Sequence, residues 1–229
     1  MFYAKGHSMK TKWIRSAILI GMLATLFVLA GTAQQGEIQG HVSLLKSSLV
    51  QSQEQLKKYR WTETRILLLK GEEKSRKLYN CRYASDGSVQ KIIIEASAEN
   101  IEDLTSYAER AVGLVKMYVP PDAAKIQALT TEGKASLASL EPGGRIRLRF
   151  QNYQIPGDQL SIDVDRTNSH LLGASVTTYL DDPKEVVSLV IQFDPLPDGT
   201  PYASKIELSV QNKSLAIQIT NSDYRETAD

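Results

Sequence analysis

Three arginines at alternate positions are the residues in this sequence whose spacing best suits ligand binding. Arg145, Arg147 and Arg149 would project from one face of a β-strand, because side chains alternate between the two faces of a strand. Three guanidinium groups in a row could contact the phosphate or carboxylate headgroup of a ligand. The alternative is a solvated face on which these cations pair with Asp163 and Asp165 of a neighbouring strand. Exposed ion pairs of that kind contribute only ~0–1 kcal/mol each.

Side chains that could carry out catalysis are few and scattered. Beyond residue 33 the chain has two histidines, His41 and His170, and the single thiol of the sequence, Cys81. Neither histidine has a recognisable catalytic partner nearby in sequence, and Cys81 lies in a strand pattern where cysteine commonly behaves as a small core residue. We therefore predict that the protein is not an enzyme and has no catalytic residues, no metal and no cofactor.

The composition excludes several other classes of protein. The 27 lysines and arginines nearly balance the 26 aspartates and glutamates, so the charge gives no support to a nucleic-acid-binding surface. One cysteine cannot form a disulfide framework within the chain. With 42% hydrophobic and 23% charged residues, the sequence is that of a folded protein.

The first 33 residues have the pattern of a secretory signal peptide. Four cations come first: Lys5, Lys10, Lys12 and Arg15. The uncharged, mostly apolar run over 17–30 is shorter than the ~20 residues that span a bilayer, and small residues over 31–33 suit cleavage after Ala33. We predict a cleaved signal peptide over 1–33 and a single periplasmic or secreted domain over 34–229, with no integral membrane span after cleavage. The alternative is an uncleaved N-terminal anchor.

Apolar residues at helical spacing predict two amphipathic helices and a short third one. The first helix is predicted from about 37 to 59, with an apolar face made of Ile38, Val42, Leu45, Leu49, Leu56 and Tyr59. The second runs from about 99 to 119, with an apolar face made of Ile101, Leu104, Ala108, Ala111, Val115 and Tyr118. Pro120-Pro121 ends it, and the short helix over about 122–131 follows.

The rest of the chain alternates between apolar and polar residues and predicts about nine antiparallel strands. Three lie between residues 60 and 95, with a hairpin turn at Asp86-Gly87, and from about residue 134 the pattern is that of strands alone. For the hairpin centred near Pro156 we predict four facing pairs: Phe150 with Ile162, Leu148 with Val164, Arg149 with Asp163, and Arg147 with Asp165.

These elements predict an α+β fold in which a curved antiparallel sheet, a half-open barrel, wraps around two or three helices. A sheet with one apolar face and this many strands must curl to be covered by so few helices. Between helices and sheet there is either a cavity for an apolar ligand or a core filled by side chains. The candidate lining residues are Trp61, Leu104, Ala108, Ala111, Val115, Leu148, Phe150 and Ile162.

Three short segments carry a family resemblance. They are Tyr59-Arg60-Trp61-Thr62-Glu63-Thr64 at the start of a strand, Arg82-Tyr83-Ala84-Ser85-Asp86-Gly87 at a turn, and Asn221-Ser222-Asp223-Tyr224-Arg225 near the C-terminus. With the order of elements, they make the chain similar to the periplasmic lipoprotein-carrier (LolA-like) superfamily and to exported bacterial proteins of a similar half-barrel type. The resemblance implies a half-open barrel that binds acyl chains in the periplasm.

The function we predict is a non-catalytic periplasmic binding or carrier protein. Its partner would be an apolar ligand, namely a lipid or acyl chain, or a lipidated protein, and it would bind no nucleic acid. The alternative is an envelope structural or interaction protein with a filled core that binds a protein partner.

Overall fold

The computed structural model describes residues 36–98, 102–140, 144–167 and 170–227. The predicted signal peptide and its cleavage site lie outside these residues. Three helices are described: α1 over 36–56, α2 over Glu102–Val115 and α3 over Ala123–Thr131. No helix in these ranges has both the length and the apolar character needed to cross a membrane.

Ten strands form one antiparallel sheet that is not closed into a barrel. In chain order they are β1 Tyr59–Leu69, β2 Glu72–Tyr83, β3 Val89–Ala98, β4 Ala135–Ser139, β5 Arg145–Gln151, β6 Gln159–Asp165, β7 Leu171–Tyr179, β8 Val186–Pro195, β9 Pro201–Val210 and β10 Leu215–Glu226. Across the sheet the order is β3-β2-β1-β10-β9-β8-β7-β6-β5-β4. The predicted class, a curved antiparallel sheet with helices, is confirmed.

The strand count exceeds the predicted nine by one, which is the short β4. Its sequence, Ala-Ser-Leu-Ala-Ser, has a single large apolar residue, Leu137. The alternation of apolar and polar residues that indicates a strand is therefore weak here. Two helices end earlier than predicted: α1 ends at residue 56, so that Tyr59 belongs to β1, and α2 ends at Val115. At α3 the Asp122 carboxylate accepts hydrogen bonds from the backbone N–H groups of Ala124 and Lys125 and caps the helix.

The register predicted for the β5–β6 hairpin is wrong by two residues. Leu148 faces Ile162, Phe150 faces Leu160 and Arg147 faces Asp163. A shift by two leaves every side chain on its own face of the sheet, so the alternating pattern fits both registers equally well. The connection decides between them: the Asp158 carboxylate accepts hydrogen bonds from the N–H groups of Gln154 and Ile155 and so fixes the loop.

The helices pack on one face of the sheet, here called the inner face. From α1 the core receives Ile38, Val42, Leu45 and Leu49, all from the predicted apolar stripe. Alternate residues of β5 to β10, among them Ile146, Leu189 and Ile217, complete this main core. The inner face of β1 and β2 holds a second, smaller cluster built on Trp61.

Candidate functional site

Most of the predicted cavity lining that is described lies inside the main core. Leu148, Phe150 and Ile162 are fully buried, and Ala108 and Ala111 of α2 pack into the same cluster. This end of the inner face is therefore a packed core of side chains. Leu104 and Val115 also belong to α2, but their side chains lie outside the described part of the structure.

Trp61 is placed elsewhere, in a second cluster with Tyr79 and Cys81. The Trp61 ring stacks on that of Tyr224 with a centroid separation of 5.5 Å and an interplanar angle of 4°, and it lies 5.3 Å from the ring of Tyr83. Its indole N–H donates a hydrogen bond of 3.1 Å to the Asn221 side-chain oxygen. The polar edge of the indole is thus satisfied while its flat face joins an apolar surface.

This apolar surface continues from Trp61 to the free edge of the sheet. Tyr79 faces Ile93 and Tyr83 faces Val89 across the β2–β3 pair, so these residues share the inner face. The side chains at the edge are open to solvent, with Ile93 58% and Val89 41% exposed. We call this surface the aromatic face and define it by Trp61, Tyr79, Cys81, Tyr83, Val89, Ile93 and Tyr224.

A buried carboxylate with two cations lies within the aromatic face. Glu63, which is 5% exposed, accepts hydrogen bonds from Arg65 at 2.8 Å and from Lys91 at 2.5 Å. Both cations also lie near the Tyr79 ring, at 5.4 Å for Arg65 and 5.9 Å for Lys91. The Arg65 Nε is buried and has no hydrogen-bond partner among the described residues. Parts of the Arg65 and Lys91 side chains, 23% and 30% exposed, remain open to solvent beside the aromatic rings.

The Cys81 thiol and the tyrosine hydroxyls of the aromatic face stay neutral at neutral pH. Burial, followed by the nearby Glu63 carboxylate, raises the pKa of the Cys81 thiol to about 11. Burial also raises the pKa of the Tyr79, Tyr83 and Tyr224 hydroxyls above the usual value for tyrosine. These groups add no negative charge to the surface, which suits an apolar ligand.

The arginines singled out in the sequence lie on β5, on the outer face of the sheet. Arg147 forms a two-point ion pair with Asp163, with Nε–Oδ1 at 2.6 Å and Nη2–Oδ2 at 2.7 Å, and this hydrogen bonding raises the arginine pKa. Arg145 faces Asp165, and Arg149 faces Ser161. The structure thus contains the Arg147–Asp163 ion pair that the alternative interpretation requires, in a different register. Headgroup binding by Arg145, Arg147 and Arg149 stays a prediction.

A buried polar network that the sequence did not reveal connects three parts of the fold. The Tyr118 hydroxyl is hydrogen-bonded to Asp158 Oδ2 at 2.6 Å and to Thr178 Oγ1 at 2.9 Å, and all three residues are buried. The segment after α2, the β5–β6 loop and β7 meet there. Within the described residues no three His, Cys, Asp or Glu side chains are grouped so as to hold a metal ion.

The aromatic face was only partly predictable. Trp61 was among the candidate residues, but Glu63, Tyr79 and Cys81 were not assigned to a site with it. The signal was present, since Tyr79, Cys81 and Tyr83 alternate along β2 in the same way as Trp61 and Glu63 along β1. What the alternation did not supply was the pairing of the strands, which brings the two rows together.

Neither a family model nor a curated protein matches the sequence. Among solved structures, the chain is similar to a DUF1329 family protein from Desulfovibrio piger, with a TM-score of 0.41, 9% identity, and coverage of 84% of this chain and 94% of that one. It is also similar to a LolA superfamily protein from Nitrosomonas europaea, with a TM-score of 0.35, 8% identity, and coverage of 80% and 94%.

A third similar structure is a protein domain from Vibrio parahaemolyticus named for outer-membrane lipoprotein sorting. The TM-score is 0.36 and the identity 12%, and the match covers 79% of this chain and 91% of that one. The structural neighbours of this chain therefore include a protein of the LolA superfamily, the superfamily that the sequence resembles.

Proposed function

We propose that this chain is a non-catalytic binding or carrier protein of the bacterial envelope, which holds the acyl chain of a lipid or of a lipidated protein on its aromatic face. The proposal rests on the position of the aromatic face in the sheet. This face begins with buried Trp61 and reaches solvent at Ile93 and Val89, outside the main core. A folded protein gains little from exposing apolar side chains of this size to water unless a partner covers them.

The polar groups beside the aromatic rings indicate what the ligand carries at one end. Arg65 and Lys91 lie over Tyr79, and each forms an ion pair with the carboxylate of Glu63. Their side chains are 23% and 30% exposed, and both are donors suited to a carbonyl, carboxylate or phosphate oxygen. An acyl chain joined to such a group would match both parts of the surface.

Two isoleucines of β3 provide a matched test of this proposal. Ile93 lies on the aromatic face, whereas Ile92 faces Asn80 on the outer face, and their exposures are similar at 58% and 65%. We expect Ile93→Ser to weaken binding of a fluorescent fatty acid by about tenfold, because the ligand loses one apolar contact. Ile92→Ser should leave the affinity unchanged. Equal affinities in both variants, or no uptake by the parent, would contradict the proposal.

Lipid extraction gives an independent measurement. Protein purified from an envelope fraction under mild conditions should release lipid when extracted with organic solvent, and native mass spectrometry should resolve a bound form. Ile93→Ser should carry less lipid than Ile92→Ser prepared in parallel. A parent with no bound lipid and no fluorophore uptake would favour the second candidate function.

The second candidate is an interaction protein that binds a protein partner through strand β3. This strand is an edge of the described sheet, and its residues Ile92, Ile93 and Ile94 are all more than half exposed. An edge strand offers unpaired backbone groups to which an extended segment of a partner can add. Crosslinking from β3 in envelope extracts tests this candidate. Recovery of one reproducible partner by a parent that carries no lipid would support it.

A further inference from the structure

We propose that the outer face of the sheet carries a second binding site, made of Arg60, Arg82 and Arg225, for an anion with phosphate groups. The site lies on the opposite side of strands β1 and β2 from the aromatic face and does not depend on the function proposed for that face. The shared chemistry of its ligands is the phosphate group, in a lipid headgroup or in a soluble molecule.

Strand pairing brings the three arginines into one row. Arg60 of β1 lies directly opposite Arg225 of β10 on one side and Arg82 of β2 on the other, and Arg82 faces Gln90 of β3. Directly opposed residues of antiparallel strands have Cβ atoms roughly 4.5–5.5 Å apart. Three guanidinium groups therefore share a strip of the outer face across three adjacent strands.

A pocket of about 550 Å³ lies beside this row. Its lining includes the next row of outer-face residues, Thr62, Asn80 and Ile92, and also Trp61 and Cys81, which lie between the two rows on β1 and β2. The Thr62 hydroxyl and the Asn80 amide are donors of the kind that complete the coordination of a phosphate. The volume is larger than one phosphate needs, so the pocket has room for a diphosphate or for a headgroup with its linker.

The charges of the row are not neutralised by the protein. Among the described residues, no carboxylate forms an ion pair with any of the three arginines; the Arg82 Nε donates to the Gln90 side-chain oxygen at 3.0 Å. The only carboxylate in the pocket lining is that of Asp223, which accepts a hydrogen bond from the Ser222 hydroxyl. Like charges placed directly opposite each other are unfavourable, and a bound anion removes that cost.

The choice of phosphate follows from the geometry of the donors. A guanidinium group offers two parallel N–H donors that match a pair of phosphate oxygens, which an ammonium group does not. The row uses arginine at all three positions, and lysine at none. A multivalent oxyanion is the ligand that can bind several such pairs of N–H donors at once.

The test uses the purified protein and two kinds of phosphate. Sodium pyrophosphate should raise the melting temperature in a saturable manner, beyond the effect of sodium chloride at equal ionic strength. Vesicles of phosphatidylcholine with about one third phosphatidylglycerol should retain the protein in flotation if the natural source is a lipid headgroup, and pyrophosphate should then release it. Pyrophosphate binding without retention by vesicles assigns a soluble phosphate compound as the source.

Two double variants with the same loss of charge separate a site from general attraction. Arg60→Gln with Arg225→Gln should weaken pyrophosphate binding at least tenfold, whereas Lys184→Gln with Lys205→Gln, at two exposed cations away from the pocket, should leave it unchanged. The variant Arg60→Lys with Arg225→Lys keeps the charge but lacks the paired N–H donors of arginine. It should also bind pyrophosphate more weakly than the parent. The proposal is overturned by a parent that responds to neither probe, or by equal affinities in the arginine-to-glutamine and lysine-to-glutamine variants.

Discussion

The residues around Cys81 set the chemistry of its thiol. The side chain is buried between strands on the aromatic face, near the carboxylate of Glu63, and both effects favour the protonated form. The thiol is therefore a packing group of the apolar surface and a poor nucleophile at neutral pH. Because the unfolded chain has no such environment, the same pKa shift couples the thiol to the stability of the fold.

The first prediction is that stability falls as the pH rises from about 9 to about 11. Over this range the unfolded chain has released the Cys81 proton while the folded chain, with its thiol pKa raised from 9.0 to about 11, still holds it. Deprotonation thus favours the unfolded state, and the loss is on the order of 2 kcal/mol. Urea unfolding across the pH range measures it. In Cys81→Ala the fall should be smaller by that amount, and parallel curves for the two proteins would refute this account.

The second prediction concerns the Tyr118 hydroxyl. Tyr118→Phe removes the hydrogen bond from the Tyr118 hydroxyl to the buried Asp158 Oδ2, so we expect a loss of about 1–3 kcal/mol in the free energy of unfolding. Tyr179→Phe is the matched control, because that hydroxyl donates to the Pro156 carbonyl at an exposed position and should cost much less. Denaturant titration measures both. Similar losses would mean that the buried network adds little stability.

Among the elements, helix α2 shows how the inner face is filled at the main core. Ala108 and Ala111 lie on the buried side of α2, where small side chains let the helix approach the sheet closely. Strand β9, which α2 contacts, supplies the large side chains Ile206, Leu208 and Val210 to the same core. Alternating large and small residues across facing elements is how close packing is achieved, and it leaves no room for an added ring.

The third prediction follows from this packing. Ala111→Trp should overpack the core and lower the free energy of unfolding by about 1–3 kcal/mol or more, because Ala111 is fully buried. Glu109→Trp, at an exposed position of the same helix, should have little effect on thermal melting. A variant Ala111→Trp that melts with the parent but fails to take up the fluorescent fatty acid would instead place the ligand between α2 and the sheet.

An element could be predicted from the sequence when the residues that determine it lie close together in the chain. The stripe of Val42, Leu45 and Leu49 revealed α1 and its buried face, because helix formation is local. The alternation of β5 and β6 revealed both strands and their buried faces. The register of their pairing was missed because it depends on the loop that Asp158 fixes. Side chains alternate every two residues, so a shift of the pairing by two residues leaves the apolar pattern unchanged.

The candidate site was harder to predict than the fold. The aromatic face joins residues from β1, β2, β3 and β10, and Tyr224 lies against Trp61 although more than half of the chain separates them. No local pattern encodes such a contact. The row of Arg60, Arg82 and Arg225 was missed for the same reason, whereas the arginines of β5 stood out because they occupy alternate positions of one strand.

At the scale of the whole molecule, the sheet consists of two local units joined at one seam. Strands β1 to β3 form one meander and β4 to β10 form another, since each strand pairs with its neighbour in sequence. Only the pairing of β1 with β10 connects them, and it runs from Tyr59 opposite Glu226 to Leu69 opposite Leu215. The seam includes buried residues of both strands, among them Leu67 and Ile217.

The fourth prediction is that a chain ending before β10 does not fold. Without this strand both β1 and β9 lose a hydrogen-bonded neighbour, and the core loses Leu215, Ile217 and Ile219. Circular dichroism should show no cooperative thermal transition for such a chain. A chain ending at residue 226 is the control and should melt like the parent. A cooperative transition in the shorter chain would show that the two meanders are stable apart.

The seam also has a consequence for the order of events during synthesis. A nascent chain cannot complete the sheet until β10 has left the ribosome, because β10 follows the other nine described strands in the chain and pairs with the first of them. Contacts so distant in sequence form slowly. A polypeptide that passes through a narrow translocation channel must remain unfolded until it has crossed. A strand order that postpones closure of the sheet until β10 is made is consistent with the export that we predict from the N-terminal sequence.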